Sequence, residues 1–170
     1  MTTNLQLARQ VARQVQIEGV VLRKAEVEAF FEPNELPAEL ALSHGFRSAF
    51  QIHRSEDAQN LSVIVDFKFE AREVSEGESG EIVADLSATF HLLYSLPIEF
   101  EPEDGCLEQF ATVNGVYNAW PYWRELVQTS TGRIGLPGVV LPVYRPVSKE
   151  LDSGEAPKNG EENSVGGGEG

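Results

Sequence analysis

Cysteine, histidine and basic side chains are scarce in this chain of 170 residues, and each shortage removes a class of function. A single cysteine, Cys106, leaves no partner for an intrachain disulfide, so burial alone must hold the core. It also lies in an acidic stretch, which raises a thiol's pKa and makes a poor nucleophile. His44, His53 and His91 are scattered, with no carboxylate or second histidine at ligand spacing, so no metal and no cofactor are expected. Against 27 acidic side chains stand only 13 basic ones, a formal charge of -14 that repels a phosphate backbone. Nucleic-acid binding is excluded on that ground. No apolar run approaches the roughly 20 residues that span a bilayer, and the N-terminus lacks the hydrophobic stretch of a secretory signal. The expectation is a cytoplasmic protein without membrane insertion.

What is present suits one globular domain: 41% hydrophobic and 24% charged residues, enough for a core without staples. Residues 147–170 hold six acids, two lysines, six glycines and no aromatic, and are expected to form a disordered tail. The remaining 1–146 make the folded unit. Within 1–15, Leu7, Ala8, Val11, Ala12 and Val15 share one helical face opposite Arg9, Gln10, Arg13 and Gln14, which predicts a short amphipathic helix.

Four stretches of β character fill residues 16–98. In the third, Leu61, Val63, Val65, Phe67, Phe69 and Ala71 alternate with polar residues, and in the fourth Ile82, Ala84, Leu86, Ala88, Phe90, Leu92 and Tyr94 do the same. Short connectors around Ser55–Asn60 and Ser75–Gly80 favour antiparallel hairpins, so the fold class is α+β: a four-stranded antiparallel meander covered by a long C-terminal helix. That kinked helix is expected over 105–134. Its apolar residues fall on several sides, which implies burial against a second subunit as well as the sheet, and Pro121 predicts a break near Tyr117–Pro121. The acidic run Glu99–Glu108 before it reads as a solvated loop that suits a positive helix N-terminus. Gly132, Gly135 and Gly138 stop a helix rather than follow a strand, so they are no phosphate cradle. No enzyme activity is expected.

The segment NGVYNAWPYWRELVQTSTGRIGLPGVVLPVYRP, Asn114–Pro146, carries a Trp-Pro-Tyr helix with Arg124-Glu125 after the proline. Gly135-Leu136-Pro137 and an extended apolar run over 135–146 follow. In this it resembles the bacterial protein-export chaperone SecB and its SecB-like relatives. The resemblance implies a homotetramer, a dimer of dimers, acting as an ATP-independent holdase for unfolded precursor polypeptides. Aromatics offer large contact area with few rotors to order, so Tyr117, Trp120 and Trp123 of the helix with Val140, Leu141, Val143 and Tyr144 of the extended run are expected to line a client groove; the alternative is that they are simply core and subunit interface. Val116, Ala119, Tyr122 and Leu126 would form an oligomer interface. On the outer sheet face Glu28 and Asp85 would dock the export motor ATPase, while Lys24 and Ser87 replace expected acids. Those departures, and the lack of apolar content for a second helix after residue 146, look more like relatives that serve toxin-antitoxin systems by protecting an antitoxin. An adaptor for one folded partner is the alternative from another class.

Overall fold

A capping box opens the first helix: Gln6 N–H donates to Thr3 Oγ1 at 3.2 Å, and Thr3 N–H to Gln6 Oε1 at 2.8 Å. This helix, α1 (Asn4–Ala12), is followed by β1 (Gln16–Ala29), β2 (Leu40–Arg54), β3 (Gln59–Ser75) and β4 (Glu78–Leu96). A continuous helical stretch then runs through α2 (Cys106–Phe110), a π turn (Ala111–Gly115) and α3 (Val116–Arg133). The computed structural model describes residues 2–151.

All strand pairs are antiparallel, in the order β1-β4-β3-β2. The expected four-stranded sheet with a C-terminal helix on it is present, but the strands do not neighbour one another in simple sequence order. Only β2, β3 and β4 form a meander, because only their links are hairpins. The β3–β4 turn is two residues, Glu76 at φ 54 and Gly77 at φ 78, the paired left-handed geometry whose twist matches the strands it joins. The connector 30–39 carries Pro33 and Pro37 and takes the chain from one border of the sheet to the other, so β1 lies beside β4. At about 3.3 Å per residue such a link easily spans the roughly 14 Å of three strand spacings.

The period-two pattern decides the core. Leu61, Val63, Val65, Phe67, Phe69 and Ala71 of β3 are buried, as are Ala84, Leu86, Ala88, Phe90, Leu92 and Tyr94 of β4. Each such large apolar side chain contributes about 1.5–3 kcal/mol over its exposed state. Extra residues at Glu18 and Arg23 break the alternation in β1, so its inner row is Ile17, Val20, Leu22, Ala25, Val27 and Ala29.

Against this face lie Phe110, Ala111, Val116, Ala119, Trp120, Trp123 and Val127. Pro121 does not end the helix; the irregular backbone is the π turn upstream of it. There the helix comes closest to β3: a Cβ on Gly115 would stand 2.6 Å from Val63 Cγ1. The first residues of the expected tail contact the start of α1. Residues 147–151 pair with residues 2–4, through a Thr3–Glu150 bridge and hydrogen bonds to Asn4, because Asn4 offers both an amide donor and acceptor to the passing backbone. The rest of that tail, 152–170, lies outside the described residues.

Candidate functional site

Alternation on β2 turns Leu40, Leu42, His44, Phe46, Ser48, Phe50 and Ile52 toward the helix side of the sheet. As β2 is a border strand, this row is only partly covered. Leu40 and Leu42 form a groove of about 440 Å³ with Leu36, Pro37 and Ala38 of the β1–β2 connector and Leu136, Pro137, Gly138, Val139 and Val140 of the run after α3. Its lining side chains are all apolar, which suits an extended hydrophobic segment and offers no charged or nucleophilic side chain for catalysis.

Beyond the groove the post-helix run crosses an aromatic floor. Trp120 Nε1–H donates to Pro142 O and Arg124 Nε–H to Leu141 O, both at 2.8 Å. The Tyr144 ring lies 5.4 Å from Trp120 and 5.6 Å from Phe46, and His44 meets Trp120 edge-on at 5.5 Å. Burial pushes the Tyr144 hydroxyl's pKa up and the His44 pKa down, so both groups stay neutral near pH 7. Among the described residues His44 Nδ1 is buried without a hydrogen-bond partner.

The border of β2 itself is open. Val74 N–H donates to Glu39 O at 3.0 Å and Ser55 N–H to Ala58 O at 2.8 Å, which fixes the phase of the β2–β3 ladder at both ends. Odd-numbered residues of β2 therefore bond to β3, and even-numbered ones such as Leu42, His44 and Phe46 turn N–H and C=O outward. Among the described residues no backbone hydrogen bond reaches those groups. The run 139–146 passes beside them without pairing, and Pro142 and Pro146 have no N–H to give.

A groove of this shape beside an unpaired strand occurs in a chain whose sequence has a recorded counterpart. It is 32% identical over 103 residues to the SecB-like chaperone SmegB of Mycolicibacterium smegmatis, covering 57% of this chain and 68% of that protein. The chain belongs to the SecB-like chaperone family. The fold agrees: the Mycobacterium tuberculosis Rv1957 SecB-like chaperone, in complex with a ChAD peptide from the Rv1956 HigA1 antitoxin, superposes with a TM-score of 0.69 at 21% identity. That match covers 84% of this chain and 99% of the other. No protein-family model matches the sequence.

In this SecB-like chaperone the residues expected to touch clients divide into two groups. Val140 and Val143 are 61% and 64% exposed, Val140 lines the groove, and Tyr144 is half-buried over the floor. Trp123 is wholly buried and stacked on Phe67 at 5.2 Å, which makes it core rather than client surface. Trp120 and Leu141 are buried too, against each other's segments. Tyr117 is exposed on α3, outside the groove lining.

The expected oligomer residues divide likewise. Val116 and Ala119 have no exposed surface, because the protomer's own sheet takes that side of α3. Leu126 is partly covered and Tyr122 is 50% exposed. Tyr122 packs at 6.3 Å on Phe90, whose neighbour across the ladder is Leu22. With Ile17 and Val27 they make an uncovered apolar belt along β1.

The outer face of the sheet is laced with charge. Asp66 accepts from Arg47 Nε–H at 2.8 Å and from the Thr89 hydroxyl at 2.6 Å. Burial would raise the Asp66 pKa, but those two hydrogen bonds, with the charge of Arg47, hold it below the usual carboxylate value. Glu28 and Asp85 face each other across β1 and β4, with Lys68 Nζ at 3.9 Å from Asp85. Lys24 pairs with Glu26 at 3.0 Å, so the lysine partly neutralises this acidic corner. Among the described residues no group of side chains could hold a metal ion.

Sequence reasoning missed the connector and β2 contributions, Leu36, Pro37, Leu40, Leu42, His44 and Phe46. The signal for them was an apolar residue between two prolines in a loop, followed by alternation interrupted by the polar His44 and Ser48.

Proposed function

We propose that this chaperone is an ATP-independent holdase that keeps unfolded precursor polypeptides from aggregating before export, working as a tetramer. The observation that carries the proposal is the apolar groove of Leu36, Leu42 and Val140 beside the unpaired border of β2. Backbone pairing is indifferent to sequence, and an apolar groove takes alternate side chains of many kinds, which together suit a binder of unrelated clients. Burying about four client side chains yields on the order of 6–12 kcal/mol gross. Association costs roughly 4–15 kcal/mol, so one groove binds weakly. Several grooves threaded by one client gain about 10²- to 10⁴-fold. The uncovered belt of Ile17, Leu22, Val27 and Tyr122 supports assembly, since an apolar face that size invites a second copy. Docking of an export motor on Glu28 and Asp85 belongs to the same reading.

The test is suppression of light scattering from a chemically unfolded, unrelated globular protein without ATP, alongside sedimentation mass. Suppression by a species of about four times 18.7 kDa is the expected result. Absence of suppression gives the reading to an adaptor for one folded partner. A second reading, protection of an antitoxin, is favoured by Lys24 in the acidic corner and by the antitoxin peptide held by the Rv1957 neighbour. Selective, tight binding of one antitoxin segment with poor suppression of unrelated aggregation would mark it.

A further inference from the structure

We infer that residues 141–149 form a strap that stands in for a client on the aromatic floor, held shut by a latch at Asn4. The inference rests on the holdase reading and adds to it a second subsite and the means by which access to it is controlled.

The strap is gripped as an extended polypeptide would be. Trp120 and Arg124 donate to two successive main-chain carbonyls, those of Pro142 and Leu141, and so recognise backbone rather than any particular side chain. Leu141 fills a closed apolar site at 4% exposure, and Tyr144, three residues on, packs on Trp120 and Phe46. Any extended segment with an aliphatic residue followed three positions later by an aromatic one can reproduce these contacts. The strap continues the run that walls the groove: Val139 and Val140 lie by Leu40 and Leu42, and Tyr144 by Phe46, so strap and β2 run in the same direction. A client in the groove is therefore continuous with one on the floor once the strap leaves.

The far end is held differently. Asn4 Nδ2–H donates to Val147 O at 3.0 Å, Lys149 N–H donates to Asn4 Oδ1 at 2.8 Å, and Asn4 N–H donates to Lys149 O at 3.0 Å. Leu151 N–H donates to Thr2 O at 3.2 Å. Between Tyr144 and this clip, Arg145 is exposed and Pro146 half-buried, and Val147 at the clip itself is 67% exposed. The latch thus depends on hydrogen bonds near water, the kind of contact that opens locally at little expense. Asn4 is 8% exposed, and its side chain is committed on both its donor and its acceptor to the strap's backbone and the start of α1.

Two variants act on either side of one hydrogen bond. Asn4→Ala removes the side-chain partners, and Lys149→Pro removes the donating N–H at an exposed position. The probe is a labelled synthetic peptide matching residues 138–147, with amide hydrogen exchange over 141–149 in the full chain. A strap closed about nine-tenths of the time weakens a competitor about tenfold, so both variants should exchange faster there and bind the peptide roughly five- to tenfold tighter. Faster exchange with unchanged peptide affinity overturns the inference, and so does unchanged exchange in both variants. If the parent fails to suppress aggregation while the variants still bind the peptide more tightly, the holdase reading falls and the strap stands.

Discussion

Trp123 and Val140 look alike as apolar residues of one greasy region, and replacing each should have opposite consequences. Trp123→Ala removes a side chain with no exposed surface and a ring stacked on Phe67. Truncating a buried tryptophan costs about 3–5 kcal/mol, a large part of the roughly 5–15 kcal/mol that holds a domain together. With a urea dependence of about 2 kcal/mol per molar, the unfolding midpoint should fall by about 2 M. Val140→Ser acts on a side chain 61% exposed, so less than about 1 kcal/mol of burial is at stake and the midpoint should move by less than about 0.5 M. Client affinity should behave the other way round: Val140→Ser, alone or with Leu42→Ser, removes about 1 kcal/mol per groove contact, roughly a fivefold loss each. Equilibrium urea unfolding followed by fluorescence, and anisotropy of a labelled unfolded client, measure the two effects separately. A Trp123→Ala protein of parental stability that no longer binds client would refute the division between core and groove.

Gly115→Ala should destabilise the fold even though alanine is the better helix former by about 1 kcal/mol. The new methyl would stand 2.6 Å from Val63 Cγ1 on a central strand, and overpacking of that kind costs about 1–3 kcal/mol. Adding Val63→Ala should recover part of the loss in a double-mutant cycle; simple additivity would show that the close approach is not what glycine serves. His44 makes stability pH-dependent. Its folded pKa lies below the ordinary 6.5 because burial disfavours the charged ring, so its contribution is fully present above pH 6.5 and is lost as pH falls through the lower folded value. Thermal midpoints of the parent should therefore drop below pH 6.5 more steeply than those of His44→Phe, and parallel curves would exclude the histidine as the cause.

How much of this was legible depended on whether the determinant was periodic. The inner rows of β3 and β4 read directly from the sequence because each strand keeps one side in the core and one in water, without interruption. β1 did not, since the extra residues Glu18 and Arg23 shift its inner row twice. Strand order escaped for another reason: hairpin links determine which strands are neighbours, whereas a ten-residue link such as 30–39 does not state where it lands. The helix is legible in the sequence, but from sequence alone its apolar sides beyond the one on the sheet point to a partner subunit. In the structure Val116, Ala119 and Trp123 meet the protomer's own sheet, and Trp120 is capped by Pro142 and Tyr144 of the same chain. Burial by a segment about twenty residues downstream leaves no periodic trace. The groove was half visible: Val140 was named from its own run, while Leu36 and Leu42 needed the crossing connector to bring them near.

That crossing gives the ribbon two unlike rims. One carries Leu42, His44 and Phe46 with their amides turned outward, and the other carries the twice-bulged β1 with its oily flank. Had the chain simply zigzagged, β4 would have taken the rim that β2 now holds, and the first and second strands would have sat shoulder to shoulder. On the proposed reading, cargo loading and self-assembly would have separate shores, and traffic on one need not displace what is moored at the other.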